Sequence, residues 1–159
     1  MAQVAATQFA NEGFLTHLFN PTGRTNRAKW WLSVLLYAIL YAIALALLYV
    51  LSAQGMAVSG IAILVVVGIV TLVSSVLIAI RRLHDRDKSG HWLWLLYVLP
   101  GVLSGIGNVM VVTATSEAMI IGMLLSVGSI GLSIWALVEL GCLRGTQGPN
   151  RFGPNPLQA

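Results

Sequence analysis

Residues Trp30–Leu51 read WWLSVLLYAILYAIALALLYVL, an apolar run without one charged side chain. A helix rises about 1.5 Å per residue, so a run of this length crosses a hydrocarbon core of about 30 Å. A buried helix in a water-soluble domain would be shorter and would keep a polar face. This run keeps none, so lipid is the solvent that fits it. Three more runs of the same character follow, at about Gly60–Ile80, Trp92–Val112 and Ala118–Leu143. As helices they close their own backbone hydrogen bonds, which lipid requires of any spanning segment. The sequence therefore predicts an all-α integral membrane four-helix bundle. Residues 1–29 precede the spans as an N-terminal segment, 30–143 form the membrane domain, and 144–159 follow as a turn-rich tail.

Composition says the same. Of 159 residues, 57% are hydrophobic and 9% charged, against about a quarter charged in soluble domains. The length holds one domain. A formal charge of +4 does not point to nucleic acid, because the basic residues sit in short segments between apolar runs and form no stripe on a soluble element. Cys142 is the one cysteine; it excludes an intramolecular disulfide and reads as packing. Residues Met1–Asn20 hold no basic residue ahead of an apolar core, so the first run is expected to be a retained span and not a secretory signal.

Orientation follows from the same basic residues. Arg24, Arg27 and Lys29 precede the first span. Arg81, Arg82, Arg86 and Lys88 separate the second from the third, and Arg144 and Arg151 follow the fourth. The connections Ser52–Ser59 and Thr113–Glu117 contain no Lys or Arg. All nine basic residues fall on one side, which the positive-inside rule makes cytoplasmic. Both termini are then expected in the cytoplasm. Trp30, Trp31, Trp92 and Trp94 mark the cytoplasmic interface, and Tyr49 the outer one.

Within the runs, Gly122, Ser126, Ser129 and Ser133 on the fourth span, and Gly101 with Gly105 on the third, have the small-residue spacing that lets helix backbones approach in lipid. Packing inside the bundle is the first reading of them, ahead of an oligomer contact. Pro100-Gly101 is expected to break the third span in its cytoplasmic half. Glu139 is the one carboxylate inside an apolar run; at a bilayer centre its charge would cost at least about 2.5–3.5 kcal/mol. It lies about a turn from Arg144, so a salt bridge with Arg81, Arg82 or Arg144 is expected before a substrate-binding role.

Three polar clusters remain: Gly23–Trp31, Arg81–Gly90 and Gly145–Pro156. In the second, Arg81 and Asp85 stand four apart and can pair on one face if the helix continues past the membrane. His84, Asp85, Asp87 and His91 are metal-ligand types, but their spacing matches no established metal site, and Arg82, Arg86 and Lys88 oppose a cation. No metal and no cofactor are implied. His84 beside Asp85 has the makings of an acid–base pair, yet no nucleophile stands at a suitable spacing. The third cluster is rich in Gly, Pro and Asn and cannot be regular helix. Its Arg151 and Phe152 suit docking against the Arg81–Asp85 segment, with Asp85 the natural partner of an arginine. Ahead of the first span, Gln8–Phe19 carries Phe14, Leu15, Leu18 and Phe19 at mixed helical spacing and reads as a short interfacial helix.

These clusters, in this order around four spans, resemble family 805 of the domains of unknown function, small bacterial inner-membrane proteins. The carriers are Gly23-Arg24, Arg27 and Trp30-Trp31; Arg81-Arg82-Leu83-His84-Asp85 with Lys88-Ser89-Gly90; and Gly145-Thr146, Gly148, Asn150-Arg151-Phe152-Gly153-Pro154 and Pro156. The family usually has glycine where this chain has Asp87, and an aromatic residue where it has His91. The resemblance implies a bacterial plasma membrane and four helices, and it implies no activity.

Functionally, the leading expectation is a non-enzymatic membrane module or accessory subunit of a larger membrane complex. Its cytoplasmic cluster of Arg24, Arg27, Arg81, Arg82, His84, Asp85, Lys88, Asn150 and Arg151 would contact anionic lipid headgroups or hold the fold together. Such clusters attract anionic headgroups by about 1 kcal/mol per charge. The partners expected are membrane lipids, other integral subunits or a second copy. The alternatives are a lipid-headgroup or phosphate-acting enzyme using His84 and Asp85, and a small oligomeric transporter built around Glu139.

Overall fold

The computed structural model describes residues 13–113 and 115–157. They are all-α, with no strand among them and four helices long and apolar enough to cross a membrane. After a short α1 (Phe14–Phe19), the spans are α2 (Arg27–Ala53), α3 (Ala57–Asp85), a third over Trp94–Thr113 that contains α4 (Leu99–Thr113), and a fourth over Ser116–Cys142 that contains α5 (Ser116–Leu137). Of the expected interfacial helix, positions 8–12 lie outside the described residues. The chain forms two compact units, one within residues 1–87 together with 145–159, the other within 88–144.

In the first unit, α2 starts where Asn26 accepts a hydrogen bond from the Lys29 amide at 2.8 Å, satisfying one of the four orphan donors of a helix start. The turn to α3 passes through Gly55 at φ +76, a conformation that glycine adopts without steric cost. The helices meet closely beyond it. A Cβ on Gly60 would stand 2.8 Å from Leu48 Cα. Nearer the basic end, Tyr37 and Ser74 hydroxyls lie 2.7 Å apart, and Ser74 donates to the Leu18 carbonyl at 2.8 Å, tying α1 to α3. Most apolar side chains of both spans point outward, as lipid-facing surface does.

Hydropathy ends the second span at Ile80, but the helix runs on to Asp85. Arg81, Arg82 and Leu83 are all buried. The polar segment remains helical because its charges find partners on neighbouring chain.

In the second unit, Pro100 does not break the third span. A π-helical turn, Trp94–Val98, leads directly into α4, with the Leu99 amide donating to the Trp94 carbonyl. Proline cannot donate the usual bond to the preceding turn, and the widened turn accommodates that gap. A second π-helical turn, Val138–Cys142, extends α5. The α4–α5 contact is made by Gly107 and Gly122. A Cβ on Gly107 would stand 2.7 Å from the Gly122 carbonyl oxygen, and one on Gly122 would stand 2.8 Å from that of Gly107. Gly122 was an expected packing residue. Gly101 and Gly105 were expected too, but their Cβ positions meet nothing within 4 Å. Helix rotation turns them away and puts Gly107 in the contact instead.

Candidate functional site

Three stretches of chain converge on the C-terminal end of α3: the segment before α2, the last turn of α3, and the tail. At the centre is Arg24, whose side chain is 1% exposed. Its Nε donates to Asp85 Oδ1 at 3.0 Å, Nη1 to the Gly148 carbonyl at 2.7 Å, and Nη2 to the Thr146 carbonyl at 2.7 Å. One planar guanidinium thus joins the end of α3 to two carbonyls of the tail. That use suits arginine, whose rigid fork of donors lysine cannot reproduce.

Asp85 takes its second oxygen into an ion pair with Arg82, which is fully buried. The sequence had suggested Arg81 and Arg151 as its companions; Arg24 and Arg82 hold its two oxygens. Arg81 donates from Nη1 to the His17 carbonyl at 3.2 Å and from Nη2 to the Arg24 carbonyl at 3.4 Å. Charged groups buried here keep hydrogen-bond partners, which offset their desolvation.

The tail also caps the helix. The Thr146 amide donates to the Asp85 carbonyl at 2.8 Å, and Asn150 Nδ2 to the His84 carbonyl at 2.8 Å. These are two of the four carbonyls a helix end leaves without an intrahelical partner. Asn150 and Gly153 bond each other's backbone at 3.0 and 3.1 Å, closing the turn, and the Phe152 amide bonds Asn150 Oδ1 at 2.9 Å. Phe152 lies flat on the His84 ring, centroids 3.9 Å apart and planes 6° from parallel. Arg151 reaches Asp87 at 3.1 Å on the surface. The expected docking of the tail on the Arg81–Asp85 segment is therefore what the structure holds, through both Phe152 and Asn150. Gly145 is required by contact: a Cβ there would run into the Asp85 carboxylate.

Of the nine cluster residues, Arg24, Arg81, Arg82, His84, Asp85, Asn150 and Arg151 come together. Arg27 stands exposed in the first turn of α2. Lys88 belongs to the second unit, where it pairs with buried Glu139 and lies 4.2 Å from the Trp92 ring centroid. Glu139 thus has Lys88 as a partner, a residue the spacing had not singled out. Gly145, Thr146 and Phe152 were part of the recognised pattern but not of the candidate site. Their signal was their place in the Gly-rich tail. Among the described residues no three His, Cys, Asp or Glu side chains gather where a metal could be held.

The family model described as "Protein of unknown function (DUF805)" matches residues 18–154. The chain belongs to this family. No curated protein and no solved structure matches it. The clamp around Arg24 and Asp85 lies entirely within the DUF805 match. Within that match, Asp87 stands in the left-handed region at φ +57. That region costs most side chains roughly 1–2 kcal/mol, and aspartate is among the few residues that visit it.

Proposed function

We propose that the protein is a non-enzymatic module of a bacterial inner membrane, a structural or accessory subunit. In this reading both termini are cytoplasmic and the basic end rests on anionic headgroups. The observation that carries the reading is the closure of Asp85. Its side chain is 5% exposed, with one oxygen held by Arg24 and the other by Arg82. A catalytic acid or base must reach the proton it moves, and Asp85 faces only its own clamp. His84 has one ring face covered by Phe152. What the basic end offers outward is charge, at exposed Arg27 and Arg151 and half-buried Lys29 and Arg86. That charge suits an anionic leaflet.

Purification under native conditions, with mass spectrometry of the lipids and proteins that remain bound, tests this. Retained anionic phospholipid or a stoichiometric integral partner is the expected result. A headgroup-cleaving or phosphate-releasing activity that purifies with the protein and disappears in folded His84→Gln would overturn it. Orientation is checked in a Cys142→Ala background, where Ser89→Cys should label from the cytoplasm and Ser52→Cys from outside. The reverse pattern would overturn the assignment of sides.

A further inference from the structure

Beside the clamp, in the same unit, a cleft of about 450 Å³ opens between α1 and the first three turns of α2. It falls within the usual size range of small-ligand sites, about 300–1,000 Å³. The cleft exists because α1 is tied to α3: its Leu18 carbonyl is held by Ser74, its His17 carbonyl by Arg81. His17 Nε2 also sits 3.3 Å from Ser33 Oγ on α2.

The lining is graded. Lys29, His17 and Ser33 form its polar part; Leu32, Leu36 and Ile39 continue it along α2. Ten residues separate Lys29 from Ile39, so the wall runs about 15 Å along the helix. That is one leaflet of a hydrocarbon core about 30 Å thick. The polar part also keeps a positive charge. Asp85 and Asp87, the described carboxylates of this unit, are paired with Arg24, Arg82 and Arg151, and no ion pair involves Lys29 among the described residues. An apolar trough one leaflet long, with an ammonium at its interfacial end that no described carboxylate pairs with, is complementary to an anionic amphiphile.

We infer that this cleft holds one acyl chain of an anionic glycerophospholipid, with the phosphate at Lys29. The inference deepens the basic-face reading and rests on it for which end meets headgroups. It adds a single site where that reading needs only a diffuse surface.

The test uses the full chain, delipidated in detergent and titrated with phosphatidylglycerol or phosphatidylcholine, with native mass spectrometry counting adducts. The expected result is one tight adduct, with phosphatidylglycerol favoured by about fivefold, the worth of one basic residue at a membrane surface. Lys29→Gln should remove that preference and Lys29→Arg should keep it. Leu32→Trp, filling the trough, should remove the adduct for either lipid. The Lys29 variants change a half-buried residue at the start of a long helix, so they test the site even if Leu32→Trp fails to fold. Many equal phosphatidylglycerol adducts, unchanged by Lys29→Gln and Leu32→Trp, would overturn the cleft and leave the basic-face reading standing. No preference for phosphatidylglycerol, either in adducts or in bulk partition to vesicles, would overturn both. Cross-links placing residues 1–12 or a second copy in the cleft, without a lipid adduct, would overturn the cleft alone.

Discussion

The two units carry similar spans but close them by different means. Residues 1–87 with 145–159 hold seven Lys and Arg against three Asp and Glu, whereas 88–144 hold two against two, so the whole formal charge of +4 belongs to the first unit. The first is fastened at its basic end by a clamp of charge and backbone caps around Arg24 and Asp85. The second is fastened by shape, through the Gly107–Gly122 approach, with Lys88–Glu139 and the edge-to-face pair Trp92–Trp135 at 6.2 Å. The difference teaches where each device works. Inside lipid there is little hydrophobic drive between helices, so close backbone contact carries association. At the end of α3, chain segments must be joined that have no helix of their own, and directional hydrogen bonds do that.

The comparison breaks most sharply at Asp85. Asp85→Asn removes the charge that two buried arginines share, and losing one partner of a buried pair costs about 3–5 kcal/mol. Thermal denaturation in detergent should show a large drop in stability or loss of folded protein; an unchanged melting temperature would mean the clamp holds nothing. In the second unit the corresponding change is Gly107→Ala. It forces a methyl against backbone, and overpacking of this kind costs about 1–3 kcal/mol. Gly105→Ala, facing open space, should cost far less, and equal effects at the two positions would refute the contact described here.

Smaller effects sharpen the picture. Asn150→Ala removes a donor to the His84 carbonyl, worth about 0.5–1.5 kcal/mol. Limited proteolysis should then cut the tail sooner than α3 melts. Arg151→Gln should do least, because its pair with Asp87 is 59% and 49% exposed and such pairs contribute about 0–1 kcal/mol. Raising the salt concentration should erase even that difference; a large, salt-insensitive loss would show that Arg151 does more than pair with Asp87.

The four spans were legible because length and missing charge determine them with no knowledge of the fold. The tail's docking was legible from chemistry, since Phe152 and Arg151 in a Gly-rich stretch need a surface. Other features depended on rotation and long-range pairing. Gly101, Gly105 and Gly107 are alike as letters, and only the facing of α4 against α5 selects Gly107. Lys88 and Glu139 lie 51 residues apart, beyond any local spacing rule. The helical Arg81–Asp85 extension was hidden because hydropathy stops at the first arginine, while the partners that keep it folded come from Arg24 and Thr146. Arg24 was legible as one of nine cluster residues, but nothing local marks it as the centre of the clamp.

The clamp also imposes an order on synthesis. Arg24 and the Thr146 carbonyl it holds are separated by 122 residues, which at about 5–20 residues per second means about 6–24 s of translation. Through that interval Arg24 has been made, and through its second half the last carbonyls of α3 as well, but the tail that satisfies them has not, and α4 and α5 must be synthesised first. Until then water must stand in for Thr146, Gly148 and Asn150. The first unit to begin folding is thus the last to be finished, and its basic end stays unclosed until the final loop is made.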